Sequence, residues 1–194
     1  TIPIATVKLT LQRHKDGFLF KSTTEPTIPL SWIREDLVIE SSYWDYHDGF
    51  PRPTRYHYKR SNRNSQHEAM LNFDWDNQIL TTTTNGDSWE MALADKTLDK
   101  ALVQLALMEA LAKDERQLDH RVADGGQPKR YQFREAERVV LKSKLGTFDT
   151  IKILRRKAEK VADTTLWVAP SLSYLPIRID RVRNGAVYSM LIKQ

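Results

Sequence analysis

Two periodicities divide this chain. Over most of its length apolar and polar residues alternate one by one, the pattern of a strand with one face buried and the other wet. Val7, Leu9 and Leu11 stand against Thr6, Lys8 and Thr10; Leu71, Phe73 and Trp75 against Met70, Asn72 and Asp74; Tyr56 and Tyr58 against His57 and Lys59. The stretch from Gln78 to Leu93 adds a β-branched strand, a turn and a returning strand. Between such segments lie Asp16-Gly17, Asp48-Gly49, Asn85-Gly86 and Asn184-Gly185, with Asp76-Asn77 as a related turn. These pairs tolerate the positive φ that tight hairpins demand, so the pattern predicts an antiparallel meander of roughly ten strands.

One segment carries a different period. "DKTLDKALVQLALMEALAKDE", Asp95 to Glu115, has neither Gly nor Pro and is rich in strong helix formers. Leu98, Ala101, Leu102, Leu105, Met108 and Leu111 recur at helical spacing, and Asp95 or Thr97 is placed to cap the start. Val103 and Leu107 fall off that stripe, so the helix is apolar on more than one side, as a helix lying inside the curve of a sheet would be.

The last third is the most informative. "LGTFDTIKILRR", Leu145 to Arg156, places Gly146 at a turn, Ile151 and Ile153 on one side and Phe148 and Leu154 on the other, which marks an interior strand. Thr147, Asp149 and Thr150 are short side chains suited to bonding turn backbone. "LWVAP" follows at Leu166 to Pro170 and "YLPIRI" at Tyr174 to Ile179; Pro170 and Pro176 confine the residues between them to a turn or an edge. In order and spacing these three pieces resemble the C-terminal signature of the bacterial family known as domain of unknown function 3108. The resemblance extends loosely over the rest of the chain through an early "IPIATVKLTL" strand, a run of paired strands and one helix.

That resemblance implies export with a signal peptide, hence a periplasmic protein, and an N-terminal strand upstream of the "IPIA" segment. It also implies a fold like the open barrels of periplasmic lipoprotein carriers. The expected architecture is therefore mainly β: a curved antiparallel meander forming an open or half-closed barrel, with one apolar helix packed against its concave face, all within a single domain over residues 1–194.

Composition narrows the function classes. A chain of 194 residues with 40% hydrophobic and 28% charged residues buries a real core and is not disordered. Its net charge of +5 permits acidic partners, but 30 basic residues are offset by 25 acidic ones spread along the chain, so no nucleic-acid partner is expected. The absence of cysteine excludes disulfides, thiolate catalysis and thiolate metal sites.

Candidate chemistry is sparse. In "SYWDYHDGFPRP", Asp45, His47 and Asp48 could hold a metal or move protons, but no third ligand stands at a diagnostic spacing, and an exposed hairpin end accounts for them better. In "YHYKRSNRNSQH", Tyr56 and Tyr58 among Lys59, Arg60 and Arg63 could stack bases, although paired tyrosines on one strand face more often pack a core. The basic run Arg155 to Lys160 could touch an anionic membrane surface, and otherwise reads as a solvated hairpin end. No nucleophile, phosphate-loop or dinucleotide motif is present, and no cofactor or metal is expected. What remains is an apolar surplus. Leu102, Leu105, Met108, Phe148, Trp167 and Tyr174 are the expected ligand-binding residues of a monomeric envelope protein that holds an apolar, lipid-like ligand between sheet and helix. The alternative is a scaffold protein that meets other envelope proteins through an unpaired strand edge.

Overall fold

The alternation read above becomes fourteen strands and one helix in a computed structural model, which describes residues 5–26, 37–62, 64–115, 118–157, 163–183 and 185–193. The strands are β1 (Ala5–His14), β2 (Gly17–Pro26), β3 (Leu37–His47), β4 (Phe50–Ser61), β5 (Gln66–Asp74), β6 (Ile79–Thr84), β7 (Asp87–Ala92), β8 (Thr97–Asp99), β9 (Asp119–Ala123), β10 (Pro128–Ser143), β11 (Gly146–Lys157), β12 (Thr164–Ala169), β13 (Leu175–Arg183) and β14 (Ala186–Leu191). The helix α1 is Leu102–Ala112, and a 3-10 turn occupies Pro170–Leu172. The start of the early strand, Ile2 to Ile4, and Asn184 of the last turn lie outside the described residues.

The strands form two seven-stranded sheets, ordered β1-β2-β3-β4-β5-β6-β7 and β14-β13-β12-β11-β10-β9-β8. The fold is mainly β, as the alternation predicts. The first sheet is a plain antiparallel meander, because each strand pairs antiparallel with its sequence neighbour. Two of the glycine turns are of the expected kind: φ is 51° and 71° at Asp48 and Gly49, and 50° and 99° at Asn85 and Gly86. The chain divides into two compact units, Thr1–Val103 with Val122–Pro128, and Gln104–Arg121 with Lys129–Gln194.

Register shows which face of each sheet is core. In the first unit, Leu11, Phe20, Ser42, Tyr56, Leu71, Thr82 and Trp89 lie side by side across all seven strands. Phe20, Ser42, Tyr56, Leu71 and Thr82 of this row are buried. The next row, Thr10, Lys21, Ser41, His57, Met70, Thr83 and Ser88, faces the other way and is mostly polar. In the second unit Ile153, Leu166 and Ile179 share one face, where Ile153 and Leu166 are buried. Glu137, Lys152, Trp167, Arg178 and Leu191 share the opposite face.

The helix is shorter than its sequence pattern. Thr97, Leu98 and Asp99 form strand β8 beside β4, and only from Leu102 does the chain turn helical. Its buried side is Leu102, Val103, Ala106, Leu107, Ala110 and Leu111, so the stripe runs through Val103 and Leu107 instead of Leu105 and Met108. Steps of three drift around a helix of 3.6 residues per turn, whereas these steps of three and four hold one face.

Candidate functional site

The start of α1 rests on a buried polar cluster that sequence reading missed. Asp99 is fully buried, and its Oδ1 accepts the amides of Ala101 at 2.8 Å and Leu102 at 2.9 Å. Asp99, not Asp95 or Thr97, therefore caps the first turn, satisfying amides that have no partner within the helix. The Thr97 hydroxyl instead donates to the Ala94 carbonyl at 2.6 Å. Asp99 Oδ2 accepts the Ser42 hydroxyl from β3 at 2.5 Å. Two strand positions away Tyr56 donates its hydroxyl to Glu40 Oε1 at 2.6 Å, and Lys100 Nζ stands 3.8 Å from Glu40 and 3.9 Å from Asp124.

Burial sets the electrostatics. It pushes the Asp99 carboxyl up to about 6, against the opposing hydrogen bonds from Ser42 and the two amides. It also drives the Tyr56 phenol far above its usual range, assisted by the Glu40 charge. A Ser-carboxylate pair closed to solvent, with both carboxylate oxygens engaged by donors, has no route to a substrate proton. The arrangement fixes the chain that leads into α1; it does not react.

The six expected ligand-binding residues fall in different surroundings. Leu102 is wholly buried in the first turn, while Leu105 and Met108 are half-buried on the other side of α1. Trp167 alternates with the buried Leu166 and Val168, so it stands on the outward face of the second sheet, where the Arg178 guanidinium lies 4.8 Å from its ring centre. Phe148 shares that side of β11 with Lys152, by the two-residue period of the strand. Tyr174 follows the 3-10 turn at φ 61°, with its amide on the Ala169 carbonyl at 2.9 Å.

Other candidates are accounted for locally. Asp45 receives a two-pronged bond from Arg52 at 2.9 and 2.8 Å, and His47 lies 3.6 Å from Asp48 at an exposed hairpin end. Tyr56 is core, and Tyr58, on the same face, lies under Lys100 with its ring centre 5.6 Å from Nζ. Arg63 lies outside the described residues. Of the basic run, residues 158–160 lie outside them too, and Arg155 is bonded to Asp163 at 2.9 Å. Asp149 is exposed beside a turn. Two open clefts among the described residues, of about 390 and 490 Å³, lie along the first sheet and are lined by Arg52, Asp74 and Trp75 in one and Glu68, Met70 and Asn85 in the other.

A second buried titratable group belongs to the other unit. His120 has Nε2 enclosed without a hydrogen-bond partner and its ring edge-on to Phe133, and burial lowers its pKa. The neutral ring therefore favours the fold. Its contribution is complete above the unfolded value near 6.5 and shrinks as pH falls toward the lower folded value. His120→Gln is expected to reduce the loss of stability on acidification, read as urea midpoints at about pH 5 and about pH 8. An unchanged acid sensitivity would show that the ring titrates freely in the fold.

Comparison with known proteins adds three findings. A family model described as "Protein of unknown function (DUF3108)" matches residues 1–192. No curated protein matches the chain. Among solved structures the chain is similar to a crystal structure of a "Beta-barrel-like Protein of Domain of Unknown Function DUF1849" from Brucella abortus, with TM-score 0.64, 6% identity, and coverage of 97% of this chain and 86% of that one. At such identity the likeness is one of fold alone, and it agrees with an open, barrel-like β architecture.

Proposed function

This chain belongs to the family of proteins of unknown function DUF3108, and from that premise we propose that it is a periplasmic binding or chaperone-like protein of the cell envelope. It holds an apolar, lipid-like ligand and performs no chemistry on it. One observation carries this reading. Opposite its buried stripe α1 presents Gln104, Leu105, Met108 and Glu109, and no position from Leu102 to Leu111 is fully exposed. A helix face left to solvent is usually polar and open. Here two apolar side chains stay half-exposed, surface that an apolar ligand would cover. Removing the remaining surface of Leu105 and Met108 from water would contribute about 1 kcal/mol each, enough to matter when an acyl chain adds its own area. Export, which the family resemblance implies, supplies the setting.

The test is native mass spectrometry of the protein purified gently from its own envelope. A discrete lipid-like mass is expected on the native chain, absent from Leu105→Asp and Met108→Asp proteins whose circular dichroism is unchanged. A bare protein mass in every preparation would reject the reading.

A second reading, a non-enzymatic envelope assembly or scaffold protein, is favoured by a different feature. Val182, Val187 and Leu191 expose large apolar side chains on one face of β13 and β14, at the end of the second sheet, and Tyr188 is exposed on the other face.

A further inference from the structure

We propose that the edge of β14, unpaired among the described residues, pairs with the same edge of a second copy of this chain, antiparallel about Ser189, so that two second sheets become one. The inference rests on the scaffold reading and names its partner; it replaces the expected monomer with a symmetric dimer, and the apolar-ligand reading does not depend on it.

Among the described residues, the backbone shows which groups of β14 face no neighbouring strand. β13 and β14 pair with Arg178 opposite Leu191 and Val182 opposite Val187, without a bulge, and the Ile192 amide bonds the Ile177 carbonyl at 2.9 Å. In an antiparallel ladder bonded pairs alternate with unbonded ones. Ile192, Met190, Tyr188 and Ala186 therefore bond back to β13, while Val187, Ser189 and Leu191 point N–H and C=O outward from the last strand of the sheet. Three donors and three acceptors lie along one uninterrupted edge.

The edge lacks the usual protection. Strands at sheet edges carry charges, proline or bulges that deter pairing. β1 has Lys8 and Arg13, and β7 has Asp87 and Glu90. β14 reads Ala-Val-Tyr-Ser-Met-Leu, with no charge and no proline, and Val187 and Leu191 are 61% and 49% exposed.

The sequence is also complementary to itself. Antiparallel pairing about Ser189 sets Val187 against Leu191, Tyr188 against Met190 and serine against serine, so each apolar group meets another and all six outward groups are bonded. The basic β13 strands of the two copies would lie three strand spacings apart, about 14 Å, beyond the roughly 8 Å screening length of physiological salt. A six-residue edge buries less than the roughly 1,200 Å² typical of permanent complexes, so the dimer should be reversible and concentration-dependent.

Sedimentation velocity from low micromolar to several hundred micromolar protein tests this. The native chain should shift from monomer to dimer. Ser189→Pro should remain monomeric with unchanged circular dichroism, because the Ser189 amide points away from β13 and its loss leaves the hairpin bonded. Val187→Lys, a charge on the same edge, should behave likewise and serves if the proline protein does not fold. Since the chain has no cysteine, Ser189→Cys should oxidise to a covalent dimer much faster than Leu9→Cys on β1. A monomer throughout, a dimer indifferent to both edge changes, or equal oxidation at the two positions would overturn the proposal. The wider scaffold reading fails separately, if crosslinking in the envelope captures no other protein through Ser189→Cys.

Discussion

Asp99→Ala is expected to cost about 2–4 kcal/mol of folding free energy, because it removes the cap of α1 and leaves buried donors without acceptors. The amides of Ala101 and Leu102 and the hydroxyl of Ser42 all converge on this carboxylate. Asp99→Asn should be nearly neutral by comparison. Its carbonyl oxygen can accept both amides, and its NH₂ group can donate to the Ser42 oxygen.

The same pair of proteins separates capping from charge. Asp99 in the fold is raised to about 6 from an unfolded value of 3.8, so the folded state binds its proton more tightly. Stability from this group is fully present below the unfolded value and is lost as pH rises through about 6, after which it stays flat. Asparagine does not titrate. Measured against Asp99→Asn by urea denaturation, the native protein should therefore lose on the order of 2 kcal/mol between about pH 4.5 and about pH 7.5. Taking the difference cancels the opposite slope of His120, which both proteins share. Parallel pH profiles for the two would show that the carboxyl keeps an ordinary pKa in the fold.

The other large effect concerns the loop after β9. Gly126 is buried at φ 68°, and a β-carbon there would fall 2.5 Å from Thr82 Cγ2 and 2.6 Å from Trp89 Cζ2. Thr82 and Trp89 are cross-strand partners on β6 and β7, so neither can withdraw without disturbing the sheet face. Gly126→Ala should cost about 2–4 kcal/mol, combining left-handed backbone strain with overpacking. Gly125 supplies the internal control, since it has φ 66° but open space around the same position. Gly125→Ala should thus lose only the backbone part, about 1 kcal/mol. Adding Thr82→Ala to Gly126→Ala removes one of the two clashing groups, along with a buried hydroxyl that has no hydrogen-bond partner. The double variant should recover part of the loss, and strict additivity would mean that the contact is relieved some other way.

Much of the architecture was legible in the chain because it is written locally. Alternation assigns a residue to one face or the other of its strand, and the partners of Tyr56, Leu71 and Phe73 bear this out in the register. Asp48-Gly49 and Asn85-Gly86 tolerate positive φ wherever they occur, so they mark hairpins without reference to the rest of the molecule. The three C-terminal segments pointed to the family whose model matches residues 1–192.

The site was less legible, for a physical reason that particular residues show. Thr97, Leu98 and Asp99 are as acceptable at the start of a helix as in a strand; pairing within the sheet made them β8 and moved the cap to Asp99. Asp99 is bonded to Ser42, 57 residues earlier, and no spacing in the sequence announces that meeting. Trp167 and its neighbours alternate correctly, but alternation does not say which of two faces will be covered; packing chose Leu166 and Val168. Likewise Val187 and Leu191 look like any strand residues until the sheet order leaves β14 at an edge. The sequence alone determined periods, turns and family, which depend on neighbours in the chain. Only the tertiary structure decided burial, edges and long-range polar partners, because those are set by which surfaces meet after the backbone has folded back on itself.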